Sequence, residues 1–174
     1  MMIKSIFITM SALVTVSLVA CHSMEHPVGQ KASANLDSRS GSSVKGVVNF
    51  LWQGHDVMVT GNISGLKPNA EHGIHIHEKG DCSAPDAVSA GGHFNPDSKL
   101  HGMPGSGASH VGDMPSIKSD ANGEAVYSAK LSGFEFDGDH GIIGRSVIVH
   151  RDPDDYKTQP TGNSGPRIAC GLIK

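Results

Sequence analysis

Two histidines one residue apart, His75 and His77 in GIHIHEKGDC, open a series of metal-binding side chains that runs through the chain. His93 follows in GGHFNP, His101 in KLHGMPG, His110 and Asp113 in SHVGD, and His150 closes VIVH. Neutral imidazole is a strong ligand for copper and zinc, and a carboxylate can complete a tetrahedral zinc set. Six imidazoles and one carboxylate suffice for one ion of each kind, provided that they converge.

The elements that carry these residues decide whether they do. Residues two apart on a strand point to the same face, so His75 and His77 form a two-ligand clamp. His72 falls on the opposite face and is expected at the surface. His150 ends the β-branched run 146–149 and adds a third ligand if its strand lies beside the clamp. His93, His101, His110 and Asp113 fall in the glycine-rich segment 81–114, which shows no strand pattern. Loops of that length are uncommon unless functional, and a metal can order one in place of a core. Taken singly, each of these histidines would be an ordinary solvated residue. Three of them and an aspartate within 21 residues call for a reason. His55 and His140 fit no ligand pattern.

Short apolar or alternating runs at 44–52, 56–63, 73–78, 124–131, 142–150 and 167–173 read as strands, separated by turn-rich pieces such as GNISGLKPN and SDANG. With 22 glycines and nine prolines for tight turns and almost no helical periodicity, the pattern predicts an all-β sandwich or barrel.

The N-terminal 43 residues read differently. Lys4 and the apolar stretch 6–20 make the n- and h-regions of an export signal, too short to span a bilayer comfortably. Leu18-Val19-Ala20-Cys21 resembles a bacterial lipobox, with Cys21 the lipidated residue. An ordinary signal-peptidase site wants a small residue where Leu18 stands. His22 in place of aspartate gives no inner-membrane retention signal, so the outer membrane is favoured. Residues 21–43 are polar and without periodicity and read as a flexible tether, His22 and His26 included, with a span of roughly 25 Å. Domain 44–174 follows. Without residues 1–20 the chain keeps 13 basic and 17 acidic side chains, a formal −4 (13 − 17), which gives no reason to expect nucleic acid. Cys82 and Cys170 suit a disulfide in an exported protein, against the alternative of two buried thiols. In the chain-entropy model, closing so long a loop stabilises by at most about 4–5 kcal/mol.

Together GIHIHEKGDC, GGHFNP, HVGD, GRSVIVHRDPDDY and GNSGPRIACGLI resemble the copper-zinc superoxide dismutases, particularly the bacterial periplasmic branch, from about Lys45 to Lys174. The resemblance implies an eight-stranded Greek-key β-barrel, immunoglobulin-like in its sandwich, with long metal-binding loops. It assigns His75, His77, His93 and His150 to one copper per subunit, and His93, His101, His110 and Asp113 to one zinc, His93 bridging the two. Asp154 matches a carboxylate that hydrogen-bonds a ligand histidine of each metal. Cys82 and Cys170 match the family disulfide, and Arg167 the arginine beside the copper. The implied activity is dismutation of superoxide, with Arg167 drawing in the anion and His93 carrying a proton.

Two departures stand out. The 150–167 segment is short beside the animal enzymes, leaving Lys157 as a weak candidate for steering, and Pro166 restricts the backbone before Arg167. Bacterial members include monomers and homodimers. The implied setting is the periplasm, with membrane contact only through the anchor at Cys21. A copper- and zinc-binding carrier is the alternative function, and the presence of all seven ligands and Arg167 favours the enzyme. A zinc hydrolase would leave the His75/His77 clamp without purpose.

Overall fold

The computed structural model describes residues 27–174. The export signal 1–20, the lipidation candidate Cys21, His22, His26 and the start of the expected tether lie outside the described residues.

Nine strands and a single 3-10 turn, Val88–Ala90, make up the regular structure of the described residues. They are β1 Lys31–Ser38, β2 Lys45–Trp52, β3 Asp56–Ser64, β4 Glu71–His72, β5 Ile74–His77, β6 Ile117–Lys118, β7 Ala125–Ser132, β8 Ser146–His150 and β9 Arg167–Leu172. Seven form one curled antiparallel sheet in the order β5-β8-β9-β1-β2-β3-β7, and β4 and β6 form a separate two-stranded ladder. This is the all-β barrel fold that was expected. The expected count of eight strands becomes nine, two of them only two residues long.

Alternation explains which face is buried. In β3, Val57, Val59 and Ile63 point inward, and in β7, Ala125, Tyr127 and Leu131 do so while Val126 faces solvent. These side chains build the main core with Phe50, Phe136, Ile74, Ile76, Val147 and Val149. β5 and β8 differ, because every residue in them is buried. A strand covered on both faces needs a second layer over it. Here the long loops supply that layer.

Residues 31–38 correct the tether reading. They form β1, which pairs with β2 from Lys31↔Leu51 to Leu36↔Gly46 and with β9 at Asp37↔Cys170 and Ser38↔Ala169. The buried side chains Ala32, Ala34 and Leu36 alternate as a strand should. Two of the three are alanine, too small to register as an apolar period. The folded unit therefore starts near residue 31, not 44.

The end of β1 also braces the opposite side of the sheet. Arg39 Nε donates to the Cys82 carbonyl at 2.9 Å, and the Ser40 hydroxyl donates to the Arg167 carbonyl at 2.8 Å. Cys82 is in turn disulfide-bonded to Cys170 in β9. The end of β1 thus ties the start of the segment 82–93 to β9.

A chain truncated to begin at residue 44 loses β1 and leaves the facing edges of β2 and β9 unpaired. It should show no cooperative thermal unfolding by circular dichroism. A sharp transition close to that of the intact chain would restore the tether reading.

Candidate metal centre

Strand register brings the first three ligands together. Within the β5/β8 ladder His75 opposes Ile148 and His77 opposes Ser146, so the face carrying His75 and His77 also carries His150. An irregularity between Val149 and His150 then pairs His150 with Arg167 of β9, where unbroken register would have offered Ile168. Such a bulge re-aims side chains. It puts Arg167 on the histidine face.

The fourth and seventh groups are stitched to the free edge of β5 by backbone bridges. His77 pairs with His93 and His75 with Asp113. Phe94 N–H donates to the Ile76 carbonyl, Gly112 N–H to that of Phe94, and Ile76 N–H to that of Gly112, at 2.8–2.9 Å. Gly112 is needed there, since a Cβ would collide with the Ile76 carbonyl oxygen.

The result is two groups whose ligand atoms lie within 4.8 Å of one another: His75, His77, His93 and His150, and His93, His101, His110 and Asp113. His93 belongs to both. Its ring stacks on His75 at 3.9 Å between centroids and stands edge-on to His101 and His110 at 5.3 and 5.5 Å. All seven side chains are buried.

In the first group each ring uses one nitrogen within the protein and keeps the other free. His75 Nε2 donates to Asp154 Oδ2 at 2.7 Å, His77 Nδ1 to the Gly91 carbonyl at 2.9 Å, and His150 Nδ1 to the Gly165 carbonyl at 3.0 Å. The remaining atoms, His75 Nδ1, His77 Nε2, His93 Nε2 and His150 Nε2, are buried without any hydrogen-bond partner. A buried polar atom left unpaired costs about 1–3 kcal/mol. Four such atoms in one group are what an imidazole-binding transition-metal ion would satisfy.

In the second group His93 Nδ1 and His101 Nδ1 each lie 3.0 Å from Asp113 Oδ1, with His110 Nδ1 at 3.3 Å. Asp113 Oδ2 accepts from the backbone N–H groups of His110 and Gly102 at 2.9 and 3.2 Å. Three imidazoles and one anchored carboxylate form the donor set of a closed zinc site.

Asp154 joins the groups, since its other oxygen lies 2.9 Å from His101 Nε2 while Oδ2 holds His75. Gly162 makes room for this contact; a Cβ there would strike both Asp154 Oδ1 and His101 Nε2. Asp155, the next residue, is exposed and caps its own turn. Arg167, half-buried, donates from Nη1 to Ala87 O and from Nη2 to Gly91 O, both at 2.6 Å. His77 and Arg167 therefore share one acceptor, the Gly91 carbonyl. Lys157 is exposed on the surface.

His72 is a correction. It is buried, with Nδ1 3.0 Å from the His150 carbonyl. The face opposite the clamp carries Ile74 and Ile76 and looks into the core, so parity should have placed His72 inside. Sequence reasoning also missed Arg39, Ser40, and Arg145, whose guanidinium lies 3.5 Å over the Phe94 ring next to His93. Arg39 and Ser40 lie outside the motifs, and Arg145, though inside GRSVIVHRDPDDY, is not marked by residue type, because each acts through backbone carbonyls or packing set by the fold.

Burial dominates the electrostatics. It holds His75 below its ordinary value and His77 and His150 well below, and brings His93 down to about 4, with neighbouring rings adding to the effect on the last three. Burial also opposes charge on His101, but Asp113 and Asp154 together outweigh it and raise that ring to about 9. Both carboxyls are held below the usual range, since the histidines around them overcome the cost of burial. At neutral pH the first group is thus four neutral rings with lone pairs available.

Residues 44–173 match the family model described as copper/zinc superoxide dismutase. The chain is 44% identical to the superoxide dismutase (Cu-Zn) of Saccharomyces cerevisiae over 140 residues, covering 76% of this chain and 90% of that protein. It is 40% identical over 150 residues to superoxide dismutase (Cu-Zn) 2 of Aquifex aeolicus, covering 83% and 86%. Among solved structures, the clock protein EA4 is similar with a TM-score of 0.76 and 39% identity, over 85% of this chain and 96% of that one.

The metal-free protein should be most stable near pH 6.5. Below that value unfolded histidines take up protons that the buried His75, His77, His93 and His150 refuse, so stability falls as the pH drops towards 4. Above it folded His101 keeps a proton that the unfolded chain releases, and stability falls again until about 9. Urea midpoints across pH 4–9 check this; a monotonic rise through the whole range would contradict it.

Proposed function

The chain belongs to the copper/zinc superoxide dismutase family, and from that premise we propose the roles its residues take and the setting in which it works. It is an oxidoreductase that uses copper and zinc. Two superoxide anions and two protons give one dioxygen and one hydrogen peroxide. When bound, copper supplies the one-electron redox change that this reaction needs, and zinc, which has none, supplies fixed charge.

His75, His77, His93 and His150 hold the copper, and His93, His101, His110 and Asp113 the zinc. The observation that carries this reading is the set of four buried, unpartnered ring nitrogens. Asp154 fixes the tautomer of His75 through Nε2, leaving Nδ1 as the lone pair. The carbonyls of Gly91 and Gly165 do the same for His77 and His150 through Nδ1. His93 Nε2 is the atom of this chain suited to take up a proton and deliver it to the departing peroxide. No carboxylate acid is required. Arg167 binds the incoming anion: two of its five N–H donors are committed to carbonyls, which fix the guanidinium, and the others remain for substrate. The completeness of both groups, with Arg167 beside them, speaks against a carrier without dismutase activity.

The enzyme works in the periplasm, tethered through lipidated Cys21 to the outer membrane, and protects the envelope from superoxide. The lipobox-like Leu18-Val19-Ala20-Cys21 and the Cys82–Cys170 disulfide support this, because disulfides persist in oxidising compartments.

Arg167→Glu should slow superoxide consumption by at least about 10-fold, as loss of anion steering does, while metal analysis still finds both ions. Undiminished catalysis would remove Arg167 from the mechanism. Cys21→Ser should move the protein from the membrane fraction to the soluble one with its activity intact; unchanged fractionation would reject the anchor.

A further inference from the structure

Gln159 makes two reciprocal hydrogen bonds to the backbone of His101. Its Oε1 accepts from the His101 N–H at 2.8 Å, and its Nε2 donates to the His101 carbonyl at 2.9 Å. Nε2 also reaches the Lys157 carbonyl at 3.1 Å, which holds the amide against its own loop. His101 lies in an irregular segment with no strand ladder to satisfy these groups, and a buried backbone pair needs partners. The side chain of residue 159 provides both.

The same short segment, 151–166, also carries Asp154, which grips the His101 ring at Nε2 from the far side. His101 is therefore held by one loop at two points, backbone and ring, while Asp113 lies 3.0 Å from the ring's other nitrogen. We propose that Gln159 is a positioning residue for the zinc group, a clasp that sets where His101 presents Nδ1 and makes the 151–166 loop part of that group. The clasp acts on zinc selectively. The copper-type group meets this loop through the His75–Asp154 bond and through the Gly165 carbonyl that accepts from His150, neither of which involves Gln159. Gln159 is exposed, so replacing it removes hydrogen bonds to the His101 backbone without opening a cavity in the core.

The inference rests on His101 being a zinc ligand, as proposed above, and the test separates the two. Gln159→Ala and Gln159→Glu are compared with the unaltered full chain; the second keeps the side-chain length and the acceptor but cannot donate to the His101 carbonyl. Zinc affinity should fall about 10- to 100-fold in both, the range typical of lost partners behind a ligand, with copper affinity unchanged. Cobalt(II) bound in place of zinc should show a shifted visible spectrum, and the His101 amide should exchange with deuterium faster in the metal-free protein. A purely structural role would lower the melting temperature and weaken both metals alike, and that result overturns the proposal. So does unchanged zinc affinity in a protein whose His101→Ala variant loses zinc. If His101→Ala retains zinc, the ligand assignment itself falls, and the clasp with it.

Discussion

A single imidazole can face two ions only if each of its nitrogens looks towards a different set of ligand atoms. His93 meets that condition. Its Nδ1 points to Asp113, His101 and His110, its Nε2 has no partner in the protein, and the ring is buried and stacked on His75. The rest of the centre follows from keeping it there. The backbone bridge between His77 and His93 fixes the position along the strand, Gly112 lets the returning loop lie against Ile76, and Arg145 over Phe94 closes the side next to it.

Holding seven polar side chains in a buried site is costly, and the arrangement limits that cost in two ways. The copper-type rings are kept neutral by burial, so no isolated charge has to be desolvated. The two carboxylates that must be charged, Asp113 and Asp154, are each surrounded by imidazole nitrogens and backbone N–H groups. The unpaired lone pairs that remain are concentrated in the two groups proposed to hold metal. The instability they impose on the empty protein is the reverse side of affinity for metal.

The grouping of the candidate ligands was legible in the sequence where it depends on residue type at short range. His75 and His77 share a face because strand alternation says so, and the density of His93, His101, His110 and Asp113 marked the long loop as functional. Six of the nine strands appear at the runs expected. What stayed hidden depends on long-range pairing. β1 is built on Ala32 and Ala34, whose small side chains carry no period, and its role appears only when β2 and β9 are seen beside it. His72 was placed at the surface because the far side of the clamp strand was taken for solvent. The bulge that turns Arg167 towards His150 has no local signature beyond the Pro166 that precedes it. Gln159 meets His101 only through the fold, 58 residues away.

Anomalous-scattering maps of crystals loaded with copper and zinc, recorded at each metal's absorption edge, address the shared ring directly. The account predicts two separate peaks, copper about 2.0–2.1 Å from His93 Nε2 and zinc at a similar distance from Nδ1. A single peak, or either metal lying beyond bonding reach of His93, would contradict it.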